Sequence, residues 1–289
     1  MLVHQDLELL ACPTCRGTLN YTGYKPNDRL ETGRLSCTAC HTVYPVNKGM
    51  AHLYDEKGVH SSDRLLRFIY NRVAPMHDAA VKYTLPLFQG GGTEEQLREG
   101  YLRRLELEEL EPREPGKPIR ILEVGVGSGA NVPRIRRRLK PGVPLELWGV
   151  DLSQSMLELL HRRARSLQDD ALRLAMADAH ALPFQSGTFD RVFHVGGING
   201  YGDPALALRE MARVARPDTP VVVVDEQLDP SRPHALYHRL MFRMVTFYDR
   251  APHCPVDLVP RGSSQVREEQ VSRFFYCLSF RTPASSPTA

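Results

Sequence analysis

Ile119-Arg-Ile-Leu-Glu-Val-Gly-Val-Gly-Ser-Gly129 decides how the rest of the chain is read. Ile119 to Val124 is a short apolar run of strand type, Gly125-Val-Gly-Ser-Gly129 follows without a break, and Val132, Ile135 and Leu139 recur at helical spacing. Strand, glycine turn and helix predict a nucleotide-type site. The glycines let backbone approach a ligand and adopt dihedrals closed to other residues, and the helix start presents unpaired N–H groups. The spacing is G-x-G-x-G, not the G-x-G-x-x-G of pyrophosphate-binding dehydrogenases, and an acidic residue, Glu123, stands just before it.

Downstream, Leu145 to Val150 predicts a second strand ending in Asp151, and Ser153 caps a helix bearing Met156, Leu157, Leu160 and Ala164. Asp151 then sits at a strand tip, where a carboxylate can accept hydrogen bonds from both hydroxyls of a ribose. Leu172 to Met176 is a third strand running into Ala177-Asp178-Ala179, before Leu182-Pro-Phe184 and Phe189-Asp190. Asp190 to Val195 reads as the fourth strand, Asp203-Pro204 as cap and first turn of a helix through Ala215, and Val221 to Val224 as the fifth strand. Gln265 to Val271 and Phe274 to Phe280 predict two closing strands; alternation in the latter puts Cys277 on the face opposite Phe274, Tyr276, Leu278 and Phe280.

From Ile119 to Glu226 this order resembles class I S-adenosylmethionine-dependent methyltransferases, in particular the small-molecule branch of ubiquinone and menaquinone C-methyltransferases. The resemblance implies an α/β, Rossmann-like seven-stranded methyltransferase sheet whose last strand enters antiparallel. It also implies S-adenosylmethionine as cofactor and S-adenosylhomocysteine as product. Glu123, Gly125, Gly127 and Gly129 would wrap the methionine and ribose, Asp151 would hold the ribose hydroxyls, Asp178 would accept the adenine amino group, and Leu152 and Ala179 would pack on the ring. Tyr70 to Asp78 resembles a segment that covers the cofactor in the quinone enzymes, making Tyr70 and His77 candidates for its edge. Methyl transfer from a sulfonium is an in-line displacement that depends mainly on alignment. His194, at the end of the fourth strand, is the candidate base if one is needed. Asn199 and Tyr201, in the glycine-rich stretch Gly196 to Gly202, are candidate substrate contacts. So are Tyr237 and His238, in a helical segment from Pro233 to Val245 rich in Met and aromatic residues, within an insertion at about 229–260.

Four of the six cysteines form two tight pairs, Cys12-Pro-Thr-Cys15 and Cys37-Thr-Ala-Cys40, separated by 21 residues. Two such knuckles present the four thiolates that structural zinc prefers, with no open position for catalysis. His41 is a possible variant ligand; Cys254 and Cys277 are isolated. The first 55 residues or so resemble the zinc-ribbon activator subunits of methyltransferases, carried by Asp6 to Leu19, the second cysteine pair and Val43-Tyr-Pro-Val46. A ribbon of this size buries too little to fold unaided, so zinc would supply much of its folding free energy.

Residues 1–57 are thus expected to form a zinc ribbon, 58–116 a helical lid and linker, and 117–289 the S-adenosylmethionine-binding domain. In the lid, Ser61 to Asp63 cap a helix carrying Leu65, Leu66, Ile69 and Val73, interrupted at Pro75, and Thr93 to Gln96 open a second with a capping box. The run from Glu106 to Glu111 reads as a solvated acidic face. Of 289 residues, 37 are Lys or Arg and 34 Asp or Glu, a net charge of +3 that does not mark a protein built mainly to grip nucleic acid or anionic membrane. Without a signal peptide or a membrane-spanning run at the start, a cytoplasmic protein is expected. A small-molecule acceptor is favoured. The alternatives are an rRNA guanine methyltransferase, whose ribbon would bind RNA alongside basic clusters at Arg134 to Lys140 and Arg162 to Arg165, and a cofactor-binding interaction protein whose ribbon docks a protein partner.

Overall fold

A computed structural model describes residues 1–79, 94–166 and 171–284. The apolar run at the glycine turn becomes the inner strand of the sheet. Numbered along the chain, β1 (Leu19–Tyr24), β2 (Thr32–Cys37), β3 (Val43–Asn47) and β4 (Met50–Leu53) precede it, and it is β5 (Ile119–Val124). There follow β6 (Leu145–Asp151), β7 (Leu172–Ala177), β8 (Arg191–Val195), β9 (Pro220–Glu226), β10 (Ser264–Gln270) and β11 (Phe275–Arg281). The helices are α1 (Ser61–Ala79), α2 (Glu94–Leu102), α3 (Val132–Arg138), α4 (Gln154–Ser166), α5 (Pro204–Val214) and α6 (Leu236–Val245).

The seven strands from β5 onward lie in the order β7-β6-β5-β8-β9-β11-β10, parallel except that β11 runs antiparallel to β9 and β10 antiparallel to β11. Strands covered on both faces carry continuous apolar runs, and Val221 to Val224 in β9 are each 0% exposed. The outer strand β10 instead shows Arg267, Glu268 and Glu269 to solvent, charges that discourage edge-to-edge pairing. Cys277 packs with Phe275 on one face of β11, and Tyr276, Leu278 and Phe280 on the other, as the alternation predicts; Phe274, expected with the latter three, precedes the strand and joins the cluster of Cys277 instead.

The sheet does not stop at seven strands. β4 pairs in parallel with β7, aligning Ala51 with Ala175, His52 with Met176 and Leu53 with Ala177, so the ribbon hairpins extend the sheet to eleven strands among the described residues. Leu2, Leu10, Leu19, Leu35 and Val46 share one apolar cluster with Trp148, Phe184 and Phe189, whose rings meet edge to face. Polar ties close the seam. Arg16 donates to the Leu182 carbonyl at 2.7 Å and pairs with Glu210 at 2.8 Å, while Glu210 accepts from the Leu182 N–H and pairs with Arg213. Arg173 pairs with Asp6 at 2.8 Å.

One expectation in this region is corrected. Pro75 does not end the first helix, which continues to Ala79: proline removes one backbone donor, and α1 is held by packing against α4. The acidic run is solvent-exposed at Glu108, Glu109 and Glu111, as expected, but it is also paired. Glu95 and Glu99 of α2, with Glu108 and Glu111 beyond it, pair with Arg134, Arg138 and Lys140 on α3 and just after it. The predicted capping residue Thr93 and the side chain of His77 lie outside the described residues.

Candidate active site

The glycine turn emerges from the carboxyl end of β5. Gly125, Gly127 and Gly129 have φ of 68°, 53° and 79°, the left-handed region that favours glycine. At Gly129 a Cβ would also stand 2.3 Å from Leu160 of α4. The turn is held from β6: Asp151 accepts from the Gly127 N–H at 2.9 Å and from the Ser153 N–H at 2.7 Å.

Glu123, 3% exposed, accepts from the Asn131 amide at 2.6 Å through Oε1. Its Oε2 is buried with no hydrogen-bond partner among the described residues. Burial pushes the carboxyl up to about 8. Asn131 is oriented in turn by the Tyr101 hydroxyl at 2.7 Å and Arg98 at 2.9 Å, both from α2. Neither Tyr101 nor Arg98 was evident as a support in the sequence, since both come from a helix that no local motif connects to the turn.

At the end of β7, Asp178 is buried and its Oδ1 meets the backbone N–H (2.9 Å) and Nδ1 (2.6 Å) of His180. The His180 ring lies between those of His60 (4.8 Å) and Tyr201 (5.5 Å). Asp63 of α1 accepts from the Gly202 N–H at 3.3 Å, so the lid helix is tied to the same rim. Ala179 is buried and Leu152 half-buried.

The ends of β8 and β9 form the other wall. His194 is 0% exposed; its Nδ1 donates to the Val124 carbonyl at 2.7 Å, and a Cβ at Gly125 would stand only 3.1 Å from its ring. Burial lowers its basicity, so it is neutral. The Tyr201 hydroxyl is 3.5 Å from the same Nδ1. Asn199 is engaged in structure: its N–H donates to Asp225 at 2.7 Å and its side-chain amide to the Glu226 carbonyl at 2.7 Å. Tyr248, just beyond α6, donates to Glu226 Oε2 at 2.6 Å. Burial, and then the adjacent Asp225, hold the Glu226 carboxyl well above the ordinary range. The half-buried Tyr70 lies within electrostatic reach of Glu226, Asp225 and Asp151, and burial raises its hydroxyl. Glu226 and Tyr248 escaped the sequence reading because their relation is long-range.

Tyr237 and His238 sit on α6, their rings 3.8 Å apart. His238 accepts from the Ala235 N–H at 3.3 Å and faces Phe274. Tyr237 is more than half exposed. These contacts join them to the helix start and β11, not to the glycine turn.

In the ribbon, Cys12, Cys15, Cys37 and Cys40 place their sulfurs within 4.8 Å of one another, with 3.7 Å from Cys12 to Cys40 and 3.4 Å from Cys15 to Cys37. Four sulfurs about 2.3 Å from a tetrahedral ion stand roughly 3.8 Å apart, so the set fits zinc. His41 is outside that set; its φ of 59° marks the turn after the second knuckle. Cys254 and Cys277 are buried elsewhere, with thiols pushed up to about 12 by burial.

Residues 121–218 match the family described as "Methyltransferase domain", and residues 7–49 the family described as "Trm112p-like protein". The chain joins a Trm112p-like module to a methyltransferase domain. That domain is similar to a demethylmenaquinone methyltransferase of Thermus thermophilus, 35% identical over 130 residues that make up 44% of this chain and 56% of the relative. It is also similar to a malonyl-[acyl-carrier protein] O-methyltransferase of Halorhodospira halophila, 36% identical over 40% of this chain and 37% of the relative. The chain thus spans about half the length, or less, of these relatives. Among solved structures, the [4+2]-cyclase SpnF superposes with a TM-score of 0.58 at 14% identity, covering 78% of this chain and 98% of the cyclase. A Haemonchus contortus phosphoethanolamine N-methyltransferase 2 superposes with a TM-score of 0.57 at 15% identity, covering 92% of this chain and 69% of the enzyme. At such identities the likeness concerns the fold alone. No helix among the described residues is long and apolar enough to cross a membrane.

Proposed function

We propose that this chain is an S-adenosylmethionine-dependent methyltransferase acting on a small-molecule acceptor. The observation that carries the reading is Glu123: a buried carboxyl with one oxygen unpartnered, behind a turn of left-handed glycines that Asp151 holds from the next strand. A carboxyl so placed invites a polar, positively charged ligand part, and the open turn leaves room for it. When bound, the cofactor supplies an activated methyl group for in-line displacement.

The chain's own residues then have the following tasks. Glu123 and the glycine turn grip the methionine part. Asp151, at its strand tip, has lone pairs left for ribose hydroxyls beyond its two backbone bonds. Asp178, steadied by His180, faces the adenine side, flanked by Leu152 and Ala179, and Tyr70 closes the edge from α1. His194 holds the turn from below through its Nδ1 bond to Val124, and full burial, which disfavours the imidazolium, makes it a poor proton acceptor. Asp225 fixes the loop bearing Asn199 and Tyr201, and Tyr201 is the better placed of the two to touch an acceptor. Zinc on Cys12, Cys15, Cys37 and Cys40 would staple the ribbon.

The relatives' named acceptors, a demethylated menaquinone among them, support a small-molecule substrate. The paired arginines of α3 weaken the RNA alternative, since a phosphate backbone would compete with carboxylates already in place. The ribbon also presents its β4 edge to the chain's own sheet, so its first protein partner is the catalytic domain itself. The test is calorimetry with S-adenosylmethionine, followed by tritiated-methyl transfer into fractionated small-molecule extract. Wild type should bind and transfer. Asp151→Ala should lose at least tenfold in affinity, as loss of charged hydrogen bonds worth about 1.5 to 3 kcal/mol each requires. No binding by wild type would overturn the reading.

A further inference from the structure

α6 is apolar on both sides. Its inner side packs His238, Phe242 and Met241 toward Phe274 and the core behind it. Its outer side carries Leu236, Leu240 and Met244 at successive four-residue steps, with Tyr237 beside them and Phe247 just after the helix. All five are more than half exposed, Leu236 at 83% and Leu240 at 62%. A helix that is apolar all round is normally covered all round. A single exposed leucine needs no explanation, but five large apolar side chains on one helical element do.

Charge identifies what covers it. Residues 233–250 contain three arginines and a single carboxylate, the half-buried Asp249, whose carbonyl accepts from Arg243; Arg239 and Arg243, one helical turn apart, run exposed along the margin of the apolar stripe, with exposed Arg250 beyond. The nearest carboxyls on the preceding strand and loop are withdrawn: Glu226 is buried against Tyr248, and Asp229 is buried and paired with Arg232. The whole-chain charge of +3 hides this local bias. On the neighbouring lid helix, α1, Leu65 and Phe68 are also more than half exposed, with the Arg72 guanidinium 4.6 Å from the Phe68 ring. α1 and the end of α6 meet where Leu66 and Tyr248 both border Gly200.

We propose that the outer face of α6 is a docking surface for an anionic lipid bilayer. The stripe would enter the acyl boundary while Arg239, Arg243 and Arg250 remain among the headgroup phosphates, the arrangement of an interfacial amphipathic helix. It requires no spanning segment, and it holds whatever the methyl acceptor is.

The full-length protein should be sedimented with vesicles of pure phosphatidylcholine and with vesicles containing one-third phosphatidylglycerol. Binding to the anionic vesicles should exceed binding to the neutral ones by at least tenfold and fall with added salt. Arg239→Gln with Arg243→Gln should weaken it roughly thirtyfold, on the scale of surface-bound basic residues. Leu240→Ser should weaken it about tenfold or more. An unchanged melting temperature establishes that each variant is folded. Absent binding by wild type, equal binding to both vesicle types, or binding indifferent to these substitutions overturns the proposal. So does a concentration-dependent dimer in sedimentation velocity that Leu240→Ser abolishes, which would assign the face to a second copy of the chain.

Discussion

The ribbon and α6 both bring large apolar side chains to the rim of one sheet, and the chain treats them oppositely. Leu2, Leu10 and Leu35 of the ribbon are 0 to 1% exposed, whereas Leu236 and Leu240 of α6 are 83% and 62% exposed. Local hydrophobicity does not account for the difference. The ribbon has a strand, β4, that satisfies the open backbone edge of β7, and this pairing seats its hairpins where their apolar faces meet Phe184 and Trp148. α6 has no such edge to pair with, and among the described residues its outer side stays exposed.

The strongest way to break this comparison is to withdraw the zinc proposed for the four cysteines. Structural zinc contributes about 10 to 16 kcal/mol in isolated zinc-finger peptides. Because the ribbon shares a sheet and an apolar cluster with the catalytic domain, chelation or Cys12→Ser should lower the melting temperature of the whole chain by more than about 10 °C in one transition. Two transitions, with the catalytic one unmoved, would show the ribbon to be a passenger. Next in size is the seam itself. Glu210 is buried and serves Arg16, Arg213 and the Leu182 N–H together, so Glu210→Ala should cost about 3 kcal/mol in urea unfolding.

The legible parts of the molecule were those written locally. The glycine turn, Asp151 at its strand tip and the paired cysteines could be read because strand, turn and knuckle are each made by neighbouring residues. β4 was missed because Met50–Leu53 is four residues long and becomes a strand only against β7, more than a hundred positions away. Shorter separations, of 22 to 33 positions, hid Tyr248 behind Glu226, and Tyr101 and Arg98 behind Asn131. The acidic and basic runs were each seen but read as separate solvated faces. Only the packing of α2 on α3 shows that they neutralise one another.

A third test probes the cost of burying a carboxyl beside the glycine turn. Glu123 has an ordinary value of 4.5 and is held at about 8 in the fold. Between those values the folded state keeps a proton that the unfolded state releases, so this carboxyl makes stability fall as pH rises, by about 1.4 kcal/mol per unit, levelling off above 8. Urea unfolding from pH 5.5 to 7.5 should therefore show a decline that Glu123→Gln makes shallower by about 1.4 kcal/mol per pH unit, with Glu226, also held above the ordinary range, contributing to what remains. A parallel decline in both proteins would place the titration elsewhere.

The smallest expected effect tests the comparison most directly, because it sets two neighbours on one helix against each other. Phe242 is 8% exposed and packs with Phe274 at 5.3 Å between ring centres, so Phe242→Ala should cost about 3 kcal/mol. Leu240, two positions earlier, touches water on most of its surface, so Leu240→Ser should change stability by no more than about 0.5 kcal/mol. A large loss at Leu240 in unfolding experiments would mean that the outer face is already buried in solution, by the chain or by a copy of it. Near-neutrality there, beside a large loss at Phe242, would leave the stripe as surface that folding does not use.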